Sequence, residues 1–232
     1  MACLVCGRPV GHSFVTVGDA GPFCESCYQS RPHCDTCGVP VGDLAWVLAD
    51  GRQICDRCHQ TAIYQPERAR ELYQQTVQII QRQLGLTLNV PTEFDLVDRN
   101  RLQELIAYQG PQGGDGTPDK DKTLGLYVRR GRRRGMYVEY GLPQILLVQV
   151  IAHEYAHAWQ GENCPLLRDP LIREGFAEWV AYKVLGTLGA SKKMAVMEAR
   201  SGLYGDGLRR LLEVERAGGV VGVLSDCERQ GK

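Results

Sequence analysis

Apolar positions change character along this chain. Over residues 1–62 they are few and come in brief alternating stretches broken by Gly, Pro and Asp, which predicts small strands and turns without a large core. From Pro66, the residues Leu72, Thr76, Ile79, Ile80 and Leu84 recur at helical spacing until Gly85, so an amphipathic connecting helix with proline in its first turn is expected. Leu86, Leu88 and Val90 then alternate with Thr87 and Asn89 as a half-buried strand would, and Asp98 is placed to cap a short helix carrying Leu102, Leu105 and Ile106. Residues 109–122 are rich in Gly, Pro and Asp and predict an exposed, mobile loop. Leu124–Val128 and Met136–Tyr140 read as strands joined by Arg129-Arg130-Gly131-Arg132-Arg133-Arg134-Gly135, a solvated turn carrying five arginines. Ile145–Ala152 is almost wholly apolar and reads as a buried helix, while Asp169-Pro170, a cap followed by a first-turn proline, opens another.

Size and charge narrow the picture. A chain of 232 residues, 44% of them apolar, can bury one real core and carry a small appendage. Two unequal domains are expected. The 27 basic residues balance 27 acidic ones, so no net field draws the chain to nucleic acid or to an anionic membrane. The run Ile145–Ala152 falls far short of the roughly 20 apolar residues that span a bilayer, and Met1-Ala-Cys-Leu-Val-Cys-Gly-Arg does not resemble a signal peptide. The expected location is the cytoplasm.

Eight of the ten cysteines fall in Cys-x-x-Cys pairs near the N-terminus. A shift of 31 residues superposes Cys3, Cys6, Cys24 and Cys27 on Cys34, Cys37, Cys55 and Cys58, and Cys6-Gly7-Arg8-Pro9-Val10-Gly11 repeats as Cys37-Gly38-Val39-Pro40-Val41-Gly42. Each pair can place two thiolates on one side of a tetrahedral ion while the next pair closes the other. Two structural zinc ions are expected, in modules 3–27 and 34–58. Redox chemistry at the Cys-x-x-Cys pairs is the disfavoured alternative, and a crossed pairing of the ligand sets is left open by spacing alone. His33 and His59 flank the ligands as exposed neighbours.

His153-Glu154-Tyr155-Ala156-His157 carries the candidate chemistry. Residues four apart share a helix face, so both imidazoles can reach one zinc while Glu154, one step round, faces a water molecule bound there. Val150, Ile151, Ala156, Ala158 and Trp159 surround them as a buried helix requires, and Gly161 can end it. The extended three-histidine form fails because positions 160 and 163, where it has glycine and the third histidine, are Gln160 and Asn163. A carboxylate is therefore expected, and Glu174, in the first turns of the helix after Asp169-Pro170, is the third-ligand candidate. Cys164 and Cys227 read as ordinary thiols, with a thiolate capping the metal as the alternative.

The cysteine arrangement resembles a LIM domain, with two departures: Cys24 stands where the family usually has histidine, and six residues rather than two separate Cys27 from Cys34. The His-Glu-x-x-His helix followed by Glu174-Gly175-Phe176-Ala177-Glu178 resembles the gluzincin peptidases. The order of LIM-like modules, Gly141-Leu142-Pro143, His-Glu-x-x-His, Glu174-Gly175 and Tyr204-Gly205-Asp206-Gly207 is similar to the LIM-containing, ubiquitin-activated peptidases that limit organ growth in plants, and to their bacterial relatives. The resemblance implies Glu178 as a residue orienting a ligating histidine, Tyr204 as donor to the oxyanion, and cleavage of peptide bonds in protein substrates. It implies partner binding or regulation for the modules; ubiquitin dependence is not carried over. The expected architecture is α+β: LIM-like modules over 1–62, a connecting helix over 63–85 and a gluzincin domain over 86–232, holding two structural zincs and one catalytic zinc. The alternatives are a catalytically silent scaffold that binds partners and, less favoured by the neutral charge, a zinc-finger nucleic-acid binder.

Overall fold

A computed structural model of the chain describes residues 1–11, 13–43, 45–109, 123–131 and 133–231. Helices mix with small sheets in an α+β architecture. Contacts divide the chain into two compact units, Met1–Ile63 with Gly141–Gln144, and Tyr64–Tyr140 with Ile145–Lys232.

In the first unit the sequence repeat is a structural repeat. Each module opens on a knuckle in which the Gly7 or Gly38 N–H donates to the carbonyl of Cys3 (2.9 Å) or Cys34 (2.8 Å). Those glycines sit at φ 69° and 73°, where a side chain would be strained. A two-stranded ladder follows, β1 (Val15–Val17) with β2 (Ala20–Phe23) in one module and β3 (Trp46–Val47) with β4 (Gln53–Ile54) in the other. A short helix then starts beside the second cysteine pair, α1 (Glu25–Ser30) or α2 (Asp56–Gln60). Apart from cysteines, the buried apolar side chains are only Phe23, Val39, Pro40, Val41, Ile54 and Ile63 among the described residues of 1–63. So small a set cannot hold some sixty residues, and the thiolates must make up the difference.

They are arranged to do so. Cys3, Cys6, Cys24 and Cys27 form one cluster and Cys34, Cys37, Cys55 and Cys58 another, the sulfurs of each within 4.8 Å of one another. The Cys6–Cys24 and Cys37–Cys55 Sγ separations are 3.9 and 3.7 Å. Zn–S bonds of about 2.3 Å set tetrahedral edges near 3.8 Å, so either cluster could hold a structural zinc. Hydrogen bonds from the Cys37 and Cys58 thiols hold the Cys34 thiol well below its ordinary pKa and push those two donors above theirs. The sets are sequential, which settles the pairing against the crossed alternative. Neither flanking histidine joins a cluster: exposed His33 meets the edge of Tyr28 at 5.1 Å, and His59 stacks under Trp46 at 3.8 Å. Arg57 donates to Asp19 at 2.9 Å, tying one module to the other. β5 (Ala62–Ile63) pairs with β9 (Leu142–Pro143) to close the unit.

The second unit begins with α3 (Pro66–Leu84), which buries Ala69, Leu72, Thr76, Ile80 and Leu84 and ends at Gly85 with φ 68°. Its stripe packs into this unit rather than serving as a connector. The strand expected over 86–90 does not form. Leu86 is buried, but the Tyr155 hydroxyl donates to its carbonyl at 3.1 Å, and the Glu162 carboxylate accepts the N–H groups of Asn89 (2.7 Å) and Val90 (3.1 Å). Side chains satisfy this backbone, leaving no ladder to make. The strand comes later as β6 (Glu93–Val97), followed by α4 (Arg99–Gln109), whose start is capped by Asp98 accepting from Arg101 N–H at 2.7 Å. The loop expected over 109–122 lies, from residue 110 onward, outside the described residues.

β7 (Gly125–Arg130) and β8 (Arg133–Glu139) form a hairpin, and β8 also pairs in parallel with β6, giving the order β6-β8-β7. The strands run further than the sequence suggests. Arg129, Arg130, Arg133 and Arg134 therefore belong to the ladder rather than to a turn; Arg132 lies outside the described residues. The helices that follow are α5 (Gln144–Asn163), α6 (Pro170–Thr187), α7 (Ser191–Ala199) and α8 (Leu203–Gly231), the last kinked at Gly219. α5 passes through Gly161 instead of stopping there. Trp179, Tyr155, Phe176, Ile151, Ile172 and Leu147 are fully buried, each stabilising the unit by about 1.5–3 kcal/mol. Among the described residues no helix is long and apolar enough to cross a membrane.

α6 and α8 approach so closely that only glycine fits. A Cβ at Gly207 would stand 2.6 Å from Gly175 Cα and 2.6 Å from the Leu171 carbonyl oxygen. Gly207→Ala is therefore expected to lower the melting temperature, losing about 1–3 kcal/mol to overpacking, whereas Gly218→Ala, whose Cβ would meet nothing within 4 Å, should be neutral or raise it by helix propensity. Thermal unfolding of the two variants checks the opposite signs. In the first unit, Cys34→Ser should lower the zinc content by one ion per chain and open residues 1–63 to limited proteolysis while the second unit stays resistant.

Candidate metal centre

α5 sets the site. His153 and His157 lie one turn apart on it, and their Nε2 atoms converge to 3.1 Å. α6, begun at its N-cap by the Asp169 carboxylate accepting from Leu171 N–H at 2.8 Å, brings in Glu174, whose Oε2 is 3.4 Å from each Nε2. These residues form a cluster that could hold a metal ion. Bonds of about 2.0–2.2 Å from zinc to imidazole nitrogen and carboxylate oxygen predict edges near 3.3 Å, so the donor set fits a tetrahedral ion with one position left open.

His153 and Glu174 are held from behind. Glu178, one turn beyond Glu174 and only 5% exposed, places Oε1 3.2 Å from His153 Nδ1. An ionised carboxylate only accepts, so Nδ1 carries the proton and Nε2 presents its lone pair to the cluster. Burial rules out the reading of Glu178 as an exposed helix charge. Arg173 donates from Nε (3.0 Å) and Nη2 (2.8 Å) to Glu174 Oε1, leaving Oε2 for the centre.

The electrostatics ask for a cation. Burial works against a charged His153, yet the carboxylates of Glu174 and Glu178 override it and push its pKa up to about 10. Burial likewise opposes ionisation of Glu174, and the two imidazoles outweigh it, holding the carboxyl well below its usual range. Without a metal, a proton takes the metal's place between them.

Glu154 is 8% exposed, and its Oε2 accepts the Tyr127 N–H of β7 at 2.9 Å. Gly125 makes that approach possible, since a Cβ there would stand 2.4 Å from Val150 Cγ1 and 3.0 Å from Glu154 Cγ. Tyr204 lies in the first turn of α8, its ring 6.1 Å from that of His153 and under the Arg200 guanidinium at 4.6 Å. Burial, with the Glu174 carboxylate adding to it, pushes the Tyr204 phenol upward, so it stays a protonated donor at neutral pH. The segment 204–207 is helical.

Cys164 and Cys227 stand outside the cluster. Their sulfurs are 3.4 Å apart and fully buried, so they meet each other rather than the metal position. Sequence reasoning missed Tyr127, Gly125 and Arg173, which act through main chain or through a neighbour and carry no motif. It used Gln160 only to exclude a ligand, although a polar residue three positions after His157 on a buried face was itself a signal. The chain matches no family model, no curated protein and no solved structure.

Proposed function

We propose that the chain is a zinc-dependent endopeptidase of the gluzincin type, with His153, His157 and Glu174 as ligands of a catalytic zinc and two LIM-like modules holding structural zincs. The observation that carries this reading is the convergence of three acceptor atoms at tetrahedral edge lengths beside a buried carboxylate, Glu154. Bound zinc supplies a Lewis acid that polarises a carbonyl oxygen and makes water acidic near neutral pH. The remaining chemistry belongs to the chain. With Oε2 of Glu154 held by the Tyr127 N–H, Oε1 takes the proton of the attacking water and returns it to the departing amine. The protonated Tyr204 phenol serves as the donor to the developing oxyanion. Glu178 keeps His153 in the ligating tautomer, the role assigned to it from the resemblance. A silent scaffold gains nothing from burying Glu154 beside a metal position, which favours an active enzyme.

The substrate class is protein or peptide. Trp46, 47% exposed in the second module, offers an aromatic contact for a protein partner. Eight thiols committed to metal suit a reducing compartment, and we place the protein in the cytoplasm on that ground. Balanced charge supports no role for nucleic acid or membrane.

Metal analysis and casein cleavage, run on the same samples, test the reading. Wild type should hold three zinc ions per chain, His153→Ala two, and Glu154→Gln three with cleavage lowered at least about 100-fold. Two ions in every sample and no cleavage would leave a binding protein. Calorimetric zinc titration near neutral pH, repeated in buffers of different ionisation enthalpy, should report release of the His153 proton when the third ion binds, because that imidazole's pKa stands near 10 without metal. The released proton should be missing in His153→Ala.

A further inference from the structure

Gln160 is 4% exposed and lies three residues after His157 on α5. One end of its amide faces the main-chain carbonyl of Arg173 at 3.0 Å, and the other faces His157 Nδ1 at 2.9 Å. A carbonyl only accepts, so the atom facing Arg173 is the NH2 group and the atom facing His157 is Oε1. An amide oxygen also only accepts. Nδ1 of His157 must therefore carry its proton, which leaves Nε2 as a bare lone pair directed at the cluster.

We infer that Gln160 is a positioning residue: it fixes the tautomer and ring orientation of His157 as Glu178 does for His153, and it ties that imidazole to the backbone beside Glu174. The inference rests on reading His153, His157 and Glu174 as metal ligands. Histidine on α5 and glutamate on α6 must keep a fixed separation to share one ion, and a single amide spans the two helices at that point. Gln160 Nε2 also lies 3.9 Å from Cys227 Sγ, so α8 packs against the same amide and restricts its rotation. A buried glutamine that merely filled space would need neither bond to be oriented. The pair of bonds gives the amide one orientation and the imidazole one tautomer.

Chelator competition on the full zinc-loaded chain separates positioning from packing, when it follows the one zinc that His153→Ala lacks and thermal unfolding is recorded alongside. Gln160→Leu removes the acceptor and should loosen that zinc by about 10–100-fold. Gln160→Glu keeps an acceptor for Nδ1 but sets a carboxylate oxygen against the Arg173 carbonyl, so it should lower the melting temperature and yet hold zinc within about threefold of wild type. Affinity that follows stability, with Gln160→Glu the worse of the two, would reduce Gln160 to a packing residue. Unchanged affinity in Gln160→Leu would also overturn the inference. Should Gln160→Leu not fold, Gln160→Glu decides alone: zinc retained despite lower stability supports positioning, and zinc lost sinks it. A wild type that holds only two zinc ions removes the ligand reading itself, an outcome distinct from the others.

Discussion

Nε2 of His153, Nε2 of His157 and Oε2 of Glu174 meet within 3.1–3.4 Å, and with both Nδ1 atoms committed as donors the three can share only a metal ion or the proton that His153 takes up at Nε2. Such a point is repulsive unless a cation sits in it. The second unit is built to keep it in existence. α5 supplies the histidines at a spacing of one turn, α6 supplies Glu174 and Glu178 at the same spacing, and the Gly175–Gly207 contact lets α8 come near enough for Tyr204 to stand by His153. Fully buried Ile151, Tyr155, Phe176 and Trp179 fasten these helices, so the polar centre costs stability that the surrounding apolar core offsets.

Charge follows from the same geometry. Glu174 is held ionised and His153 is held protonated, the first by imidazoles and the second by carboxylates, each against the effect of burial. The signs differ on either side of neutrality. The depressed Glu174 pKa contributes stability that is present above its unfolded value of 4.5 and is lost as pH falls through the folded one. The raised His153 pKa contributes stability fully present below 6.5 and lost as pH rises towards about 10. A metal-free pocket is thus most stable in mildly acidic solution, and a bound ion takes over the proton's role above it.

Legibility in the sequence tracked how local the determining physics is. The two cysteine clusters and the convergence of His153, His157 and Glu174 were legible because a knuckle or a helix turn sets the spacing within each pair, and Asp98, Pro66, Gly85 and Asp169 announced helix ends through caps. The strand expected over 86–90 failed because alternation reports burial rather than pairing: Leu86 is buried as expected, but Tyr155 and Glu162 take the hydrogen bonds a neighbouring strand would have made. Gly161 did not stop α5, because a glycine ends a helix only where the chain turns left-handed, and here it lies in the helix. Tyr127 was illegible, since it acts through an N–H that every residue but proline shares.

The two units offer metal positions of opposite kinds. In the first, ligands sit on knuckles and short helix starts, the apolar set is small, and the ion would create the fold it occupies. In the second, the candidate ligands ride on α5 and α6, helices of 20 and 18 residues packed by a large apolar core. A site of that kind is preorganised: Glu154 is pinned to β7, His153 to Glu178 and Glu174 to Arg173 before anything binds. Under the proposed function little would have to rearrange as charge develops, which is the condition under which fixed dipoles and buried carboxylates accelerate chemistry rather than merely bind. Thiol clusters on knuckles in one unit and an open-sided cluster on packed helices in the other are therefore separate solutions, and under the proposed function loss of metal should unfold the first while leaving the second folded and inert.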